Sequence, residues 1–359
     1  EFEKLIIKRK YNYKTGVLLG LGLFILGALL FYPSSKTMVY GHFLTSLFIL
    51  AGGLSVLETA SNSYIIKLGP EETGIQRLNF AQSFNPIGSI TGVLLGKFFI
   101  LSELNQASET ERAALNPVEL SNMQSAELSA VMGPYVAVAI LLLVIWLMIY
   151  FTKMPKGSDE TGVDKLGDVF KRLLSNSNYV WGVIAQFFYV GAQIGVWSYT
   201  IRYAMVELNL SEAEAASYYL AASILFMTSR FICTWLLNFI KPGKLLSICS
   251  VMAVLSCLIV VFGNGIVGVI GLVSISGFMS LMFPTIYGLA VKGLGSDTKI
   301  AGSGLIMAIL GGAVITTVQG VVSDVTNIHL AYLVPAVCFL IILYYSLFVK
   351  HDKQLSREE

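Results

Sequence analysis

The sequence predicts an all-α, multi-pass membrane protein, and three observations predict it. The first is composition: 55% of the 359 residues are hydrophobic and 13% are charged, with a mean hydropathy of +0.72. Soluble domains carry about 25% charged residues, so lipid is the expected solvent for much of this chain. The second is that the apolar residues gather into ten runs near the ~20 residues that a spanning helix needs. These are 15–33, 41–66, 74–100, 132–153, 179–207, 212–240, 244–262, 265–292, 299–322 and 331–350. The third is the distribution of charge. With the N-terminal segment placed inside, the inner loops and tails collect Lys4, Lys8, Arg9, Lys10, Lys14, Lys67, Arg77, Lys153, Lys156, Lys165, Lys171, Arg172, Lys241, Lys244, Lys292, Lys299, Lys350, Lys353 and Arg357. The outer side holds Lys36, Lys97 and Arg112, and Arg202 and Arg230 lie within runs. Positive charge favours the cytoplasmic side of short loops, and a wrong count of spans would scramble this alternation.

In order along the chain, the basic stretch EFEKLIIKRKYNYK feeds the first run and reads as a cytoplasmic segment, since no short apolar core with a cleavage site follows it. Short polar turns join most runs. Two connections are longer: 101–131 is acidic and holds its own helix-like stretch, NPVELSNMQSAEL, and 154–178 is polar and basic. The second is the expected boundary between two bundles, giving 1–153 with four helices, a cytoplasmic linker 154–178, and 179–359 with six helices and a tail. No strong internal repeat is evident.

Several function classes find no support. A net charge of +2 and the lack of a basic block interleaved with aromatics argue against nucleic acid. Cys233, Cys249, Cys257 and Cys338 lie in apolar runs with no C-x-x-C pair, and His42, His329 and His351 are not arranged as metal ligands. There is no P-loop and no recognisable nucleophile–base set, so neither ATP hydrolysis nor an enzyme is indicated.

Chemistry therefore rests on polar residues inside the runs. Glu58 stands about eight residues from the inner end of its run, roughly 12 Å into the membrane at 1.5 Å per residue. A carboxylate there is costly and usually faces a cavity or a partner, so Glu58 is the candidate proton carrier; a structural ion pair is the bland alternative. In the next run, RLNFAQSFNPIG carries Asn79, Gln82 and Asn85, whose amides both donate and accept and so suit sugar hydroxyls or interhelical bonds. Gly88, Gly92 and Gly96 are spaced for helix contact. The fifth run places Gln186, Gln193 and Trp197 in one stripe with Tyr189 beside it; amides and aromatic faces are what a sugar ring would meet, and an aromatic-rich packing face with an interfacial belt at its outer end is the bland alternative. Arg230 reads as a gate or ion-pair residue. In the eighth run Pro284 predicts a break, with Phe283 and Tyr287 across it as possible cavity lining or packing. Gly311, Gly312 and Gly320 permit close approach or bending.

The stretches LETASNSYIIKLGPEETGIQRLNFAQSFNPIG, FFYVGAQIGVWSYTIRYA and FPTIYGLAVKGLGSDTK resemble those of the bacterial L-fucose/proton symporters, sugar/proton symporters of the major facilitator superfamily. The resemblance implies twelve helices in two six-helix bundles, alternating access, and import of a monosaccharide with a proton across the bacterial inner membrane by a monomer in lipid, without a cofactor. It implies a coupling role for Glu58 and sugar contacts at Gln82 and, less directly, Asn79. The family pattern has two further helices before the first run, one with another acid, so ten helices are expected here of twelve. It also has Gln-Tyr where this chain has Met282-Phe283, which leaves the sugar open. Sodium could replace the proton at a carboxylate with nearby carbonyls. An exporter of the same superfamily, or a non-transporting sensor, are the other expectations.

Overall fold

The computed structural model describes residues 13–37, 39–95, 115–153 and 166–355. They are helical throughout: α1 (Tyr13–Thr37), α2 (Tyr40–Lys67), α3 (Gly74–Gln82), α4 (Asn85–Leu95), α5 (Pro117–Phe151), α6 (Leu166–Ser175), α7 (Ser177–Leu208), α8 (Glu212–Leu236), α9 (Pro242–Phe262), α10 (Ile266–Met279), α11 (Met282–Ala290), α12 (Thr298–Met307), α13 (Gly311–Val325) and α14 (Leu333–Leu355), with short 3-10 turns between some of them. Nine segments among the described residues are long and apolar enough to cross a membrane. They coincide with nine of the ten predicted runs. The other, 74–100, is broken between Gln82 and Asn85, and its last five residues lie outside the described residues.

The chain divides into two compact units, 1–64 with 88–158 and 65–87 with 159–359. The segment containing α3 therefore packs with the later helices rather than with its sequence neighbours.

In the first unit α1 and α2 meet backbone to backbone. A Cβ at Gly20 would lie 2.5 Å from the Leu57 nitrogen, and one at Gly53 would lie 2.5 Å from the Phe24 nitrogen. On α5, Trp146 donates from Nε1 to the Leu18 carbonyl at 2.8 Å. Lys14 Nζ donates to the carbonyls of Tyr150 and Thr152, both at 2.7 Å. These are orphan acceptors at a helix C-terminus, which a cation satisfies well. The helix-like stretch expected within 101–131 is not a separate element: it is the first part of α5, continuous with the span. Asn116 caps it, accepting from Val118 N at 3.1 Å and Glu119 N at 2.9 Å, while Glu119 reaches back to Asn116 N. With Pro117 at the first position this is a complete capping box. Among the described residues nothing outside the helix's own backbone lies within 4 Å of a Cβ built at Gly88 or Gly92, and Gly96, the third of the small-residue run expected to make helix contacts, lies outside the described residues.

In the second unit α7 runs through the core, with Ala185, Tyr189, Ala192, Val196 and Tyr203 buried. It meets α13 through glycine. A Cβ at Gly311 would overlap the Phe187 carbonyl, and one at Gly195 would overlap the Gln319 Oε1. The Phe187 oxygen is backbone inside a helix and cannot swing away. Gly311→Ala is therefore expected to destabilise the unit by about 1–3 kcal/mol, the usual cost of overpacking. Gly195→Ala should cost less, because the Gln319 amide is the end of a flexible side chain. Thermal unfolding in detergent checks the order; equal midpoints for the two variants would refute it.

Two loops of this unit are built alike. Lys67 leads through Gly69 and Pro70 into a 3-10 turn, Glu71–Thr73, and then α3; Lys292 leads through Gly293 into a 3-10 turn, Gly295–Asp297, and then α12. Gly293 and Gly295 have φ of 77° and 53°, values that favour glycine. The loops are tied together, Gly293 N donating to Glu71 Oε1 at 3.1 Å. Arg77 gathers the Ile65, Ile66 and Pro70 carbonyls, at 3.2, 2.7 and 2.9 Å.

Candidate functional site

Two prolines build the centre of the second unit. A helical proline has no N–H for the carbonyl four residues earlier. Pro86 therefore frees the Gln82 carbonyl, and Pro284 frees the Ser280 carbonyl. The chain breaks at both places, between α3 and α4 and between α10 and α11. Both freed carbonyls are taken by one side chain: Arg230 of α8 donates from Nη1 to Gln82 O at 2.9 Å and from Nε to Ser280 O at 2.6 Å. Arg230 is 3% exposed, and its guanidinium lies 4.5 Å from the centroid of the Phe226 ring. Among the described residues no carboxylate forms a salt bridge with it. Its charge faces the negative ends of two broken helices instead.

The predicted amides divide around this point. Asn79 is fully buried, and its Nδ2 is committed to the Ile75 carbonyl at 2.9 Å and to Thr285 Oγ1 of α11 at 3.2 Å. That is the geometry of a helix-to-helix tie. Gln82, at the end of α3, accepts from Asn85 Nδ2 at 2.9 Å. Asn85 is exposed, so this amide pair sits at the edge of the buried network.

On α7 the stripe also divides. Gln186 and Tyr189 are fully buried, and neither amide atom of Gln186 has a hydrogen-bond partner among the described residues. Gln193 and Trp197 are half-buried. Trp197 donates from Nε1 to Ser276 Oγ at 3.2 Å and makes edge contacts with Phe226 at 5.0 Å and Tyr219 at 6.4 Å. Phe283 is half-buried with its ring 6.2 Å from that of Tyr189, whereas Tyr287 is fully buried in the core formed with Leu78, Ala290 and Leu305. Asn85, Gln193, Trp197 and Phe283 thus keep surface that a ligand could reach, with buried Gln82 directly behind Asn85; Asn79, Tyr189 and Tyr287 are interior groups here.

Glu58 belongs to the first unit. It lies on α2, nine positions before Lys67, and is half-buried. No hydrogen bond or salt bridge engages its carboxyl among the described residues. Asn62, one turn on, is 4% exposed. Charge and polarity patterns singled out Glu58 and Gln82 as candidates. They did not reveal what Arg230 binds, because its partners are backbone carbonyls; the two prolines, each four residues after an acceptor, were the available signal.

Broken helices that set amides and a guanidinium inside a membrane bundle, with a carboxyl inside another span, define the class as a helical membrane transporter. The Major Facilitator Superfamily profile matches residues 6–316, and the chain belongs to that superfamily, one of transporters rather than enzymes. It is 40% identical over 349 residues to the L-fucose-proton symporter of Escherichia coli K12, covering 96% of this chain and 80% of that protein. It is 37% identical to the Haemophilus influenzae L-fucose-proton symporter, covering 94% and 81%, and 33% identical to a Brucella abortus glucose/galactose transporter, covering 94% and 79%. Among solved structures, FucP in the outward conformation matches with a TM-score of 0.90 at 40% identity, covering 96% of this chain and 84% of that one. The proton:xylose symporter XylE shares the fold, with a TM-score of 0.67 at 12% identity.

Proposed function

We propose that this chain imports a monosaccharide, L-fucose or a related hexose, together with a proton by alternating access. It would work as a monomer in the lipid of a bacterial cytoplasmic membrane, with both ends of this chain on the cytoplasmic side. One observation carries the reading: an in-span, half-buried carboxyl, Glu58, in a chain 40% identical over 96% of its length to an L-fucose-proton symporter. Glu58 is assigned the proton. Gln82, Asn85 and Gln193 are assigned hydroxyl contacts, with the half-buried rings of Trp197 and Phe283 against the apolar side of the sugar. Asn79, Tyr189 and Tyr287 are assigned to holding these groups rather than to the sugar itself. Relatives named for glucose and galactose, and the apolar pair Met282-Phe283, favour testing several hexoses beside fucose.

Addition of the correct sugar to energy-depleted cells expressing the full-length transporter should make the medium more alkaline, because each import removes external protons. A proton-antiporting exporter would not do this. A sodium-coupled importer would take up the sugar with no pH change and with a requirement for external sodium.

A further inference from the structure

The strongest unassigned feature is α6, in the connection before α7. Its side chains segregate sharply. At 100° per residue, Val169 and Leu173 occupy one side of an apolar arc, and Leu166, Phe170 and Leu174 occupy the other. The first pair is 4% and 2% exposed, packed in a core with Tyr179, Ala301 and Leu305; the second group is 38%, 55% and 71% exposed. Among the described residues only half of the arc is therefore packed against protein. The helix cannot roll to hide the rest, because Arg172 on its far side is held bidentately by Asp297, at 2.9 and 2.8 Å.

The position of α6 says what covers the exposed half. Only Asn176 separates the end of α6 at Ser175 from the start of the spanning helix α7 at Ser177. The C-terminal end of α6 is thus held beside the start of α7, close to the level at which that span enters the membrane. Large apolar side chains left open at that depth face the boundary between headgroups and acyl chains, where amphipathic helices bind. Lys171 borders the arc beside Leu174 and forms no salt bridge among the described residues, so it is placed to meet an anionic headgroup.

We propose that α6 is a lipid-docking helix. Leu166, Phe170 and Leu174 sink into the cytoplasmic leaflet, and Lys171 holds the phosphate of an anionic phospholipid. The anchor would fix the segment leading into α7 to the membrane surface.

Spin labels test this in the full-length transporter; the four cysteines of this chain are buried, and any others would first be replaced. Phe170→Cys and Leu174→Cys would be labelled and reconstituted in phosphatidylcholine vesicles with and without phosphatidylglycerol, with Asp168→Cys as the polar-side control and Leu166→Cys as a second reading of the arc. Collisions with oxygen should exceed those with a water-soluble nickel chelate several-fold at 170, 174 and 166, and the ratio should invert at 168. Phosphatidylglycerol should deepen the labels, and Lys171→Gln should abolish that shift. Nickel access at 170 and 174 would mean a water-facing helix and overturn the proposal. Exclusion of both reagents would mean cover by protein, from this chain or a second copy, and would equally overturn it. Depth that ignores phosphatidylglycerol would overturn the assignment of Lys171.

Discussion

Replacing Arg230 by leucine is expected to be among the most destabilising single changes in the second unit, costing about 2–6 kcal/mol. The figure follows from the two carbonyls it would abandon. Gln82 O and Ser280 O were released from their helices by Pro86 and Pro284, and Arg230 is the donor that each receives from a side chain. A buried acceptor left without a partner costs roughly 1–3 kcal/mol, and leucine supplies none. Lysine should rescue only in part: its ammonium is a point charge, whereas the planar guanidinium spans both carbonyls at once. A companion variant separates this account from simple loss of volume. Pro284→Ala restores an N–H that can compete for Ser280 O, so it should weaken the effect of Arg230→Leu when the two are combined. The reporter is built in, since Cys233, Cys249, Cys257 and Cys338 are buried and react with a thiol dye only on unfolding. An Arg230→Leu variant that unfolds at the wild-type temperature would refute the carbonyl-clamp reading.

The same site shows how far the sequence could be read. Apolar runs and basic alternation located nine of the spans, because membrane insertion acts on each segment's own composition. Pro284 announced the break in the eighth run for a similarly local reason: the missing N–H belongs to the residue itself. The start of α5 was locally written too, in Asn116, Pro117 and Glu119, but the polar residues after them suggested a loop element of its own. What was not legible depends on a third dimension. Asn79 and Gln82 are both amides three residues apart, yet one is spent on Thr285 and the other sits beside exposed Asn85. Periodicity placed Tyr189 beside the amide stripe, and the Pro284 break left Tyr287 as cavity lining or packing; both phenol rings are enclosed by neighbours from other helices. Arg230 read as a gate or ion-pair residue; among the described residues its partners are the ends of broken helices rather than a carboxylate. The grouping of α3 with the later helices likewise follows from packing that no local pattern encodes.

Glu58→Gln is expected to abolish gradient-driven accumulation while leaving sugar exchange. Glutamine matches the size of a protonated glutamate and keeps a donor and an acceptor, so contacts made by the neutral acid can persist. It cannot release a proton. For one proton per sugar, a pH gradient of about one unit is worth ~1.4 kcal/mol, enough for a tenfold accumulation ratio. Proteoliposomes carrying the full-length wild-type transporter, acidic outside, should approach that ratio, and the variant should settle near equality inside and out. Counterflow of labelled against unlabelled sugar needs binding and reorientation but no net proton movement, so it should continue. The distinction matters because a ligand or proton can drive a conformational equilibrium only by the difference in its affinity for the two states. A carboxyl in a membrane span provides such a difference: its charged form is costly wherever lipid or protein surrounds it and much less so where water reaches it. If Glu58→Gln still concentrates sugar tenfold, the coupling proton is carried elsewhere. If exchange is lost along with accumulation, Glu58 serves binding or folding rather than coupling.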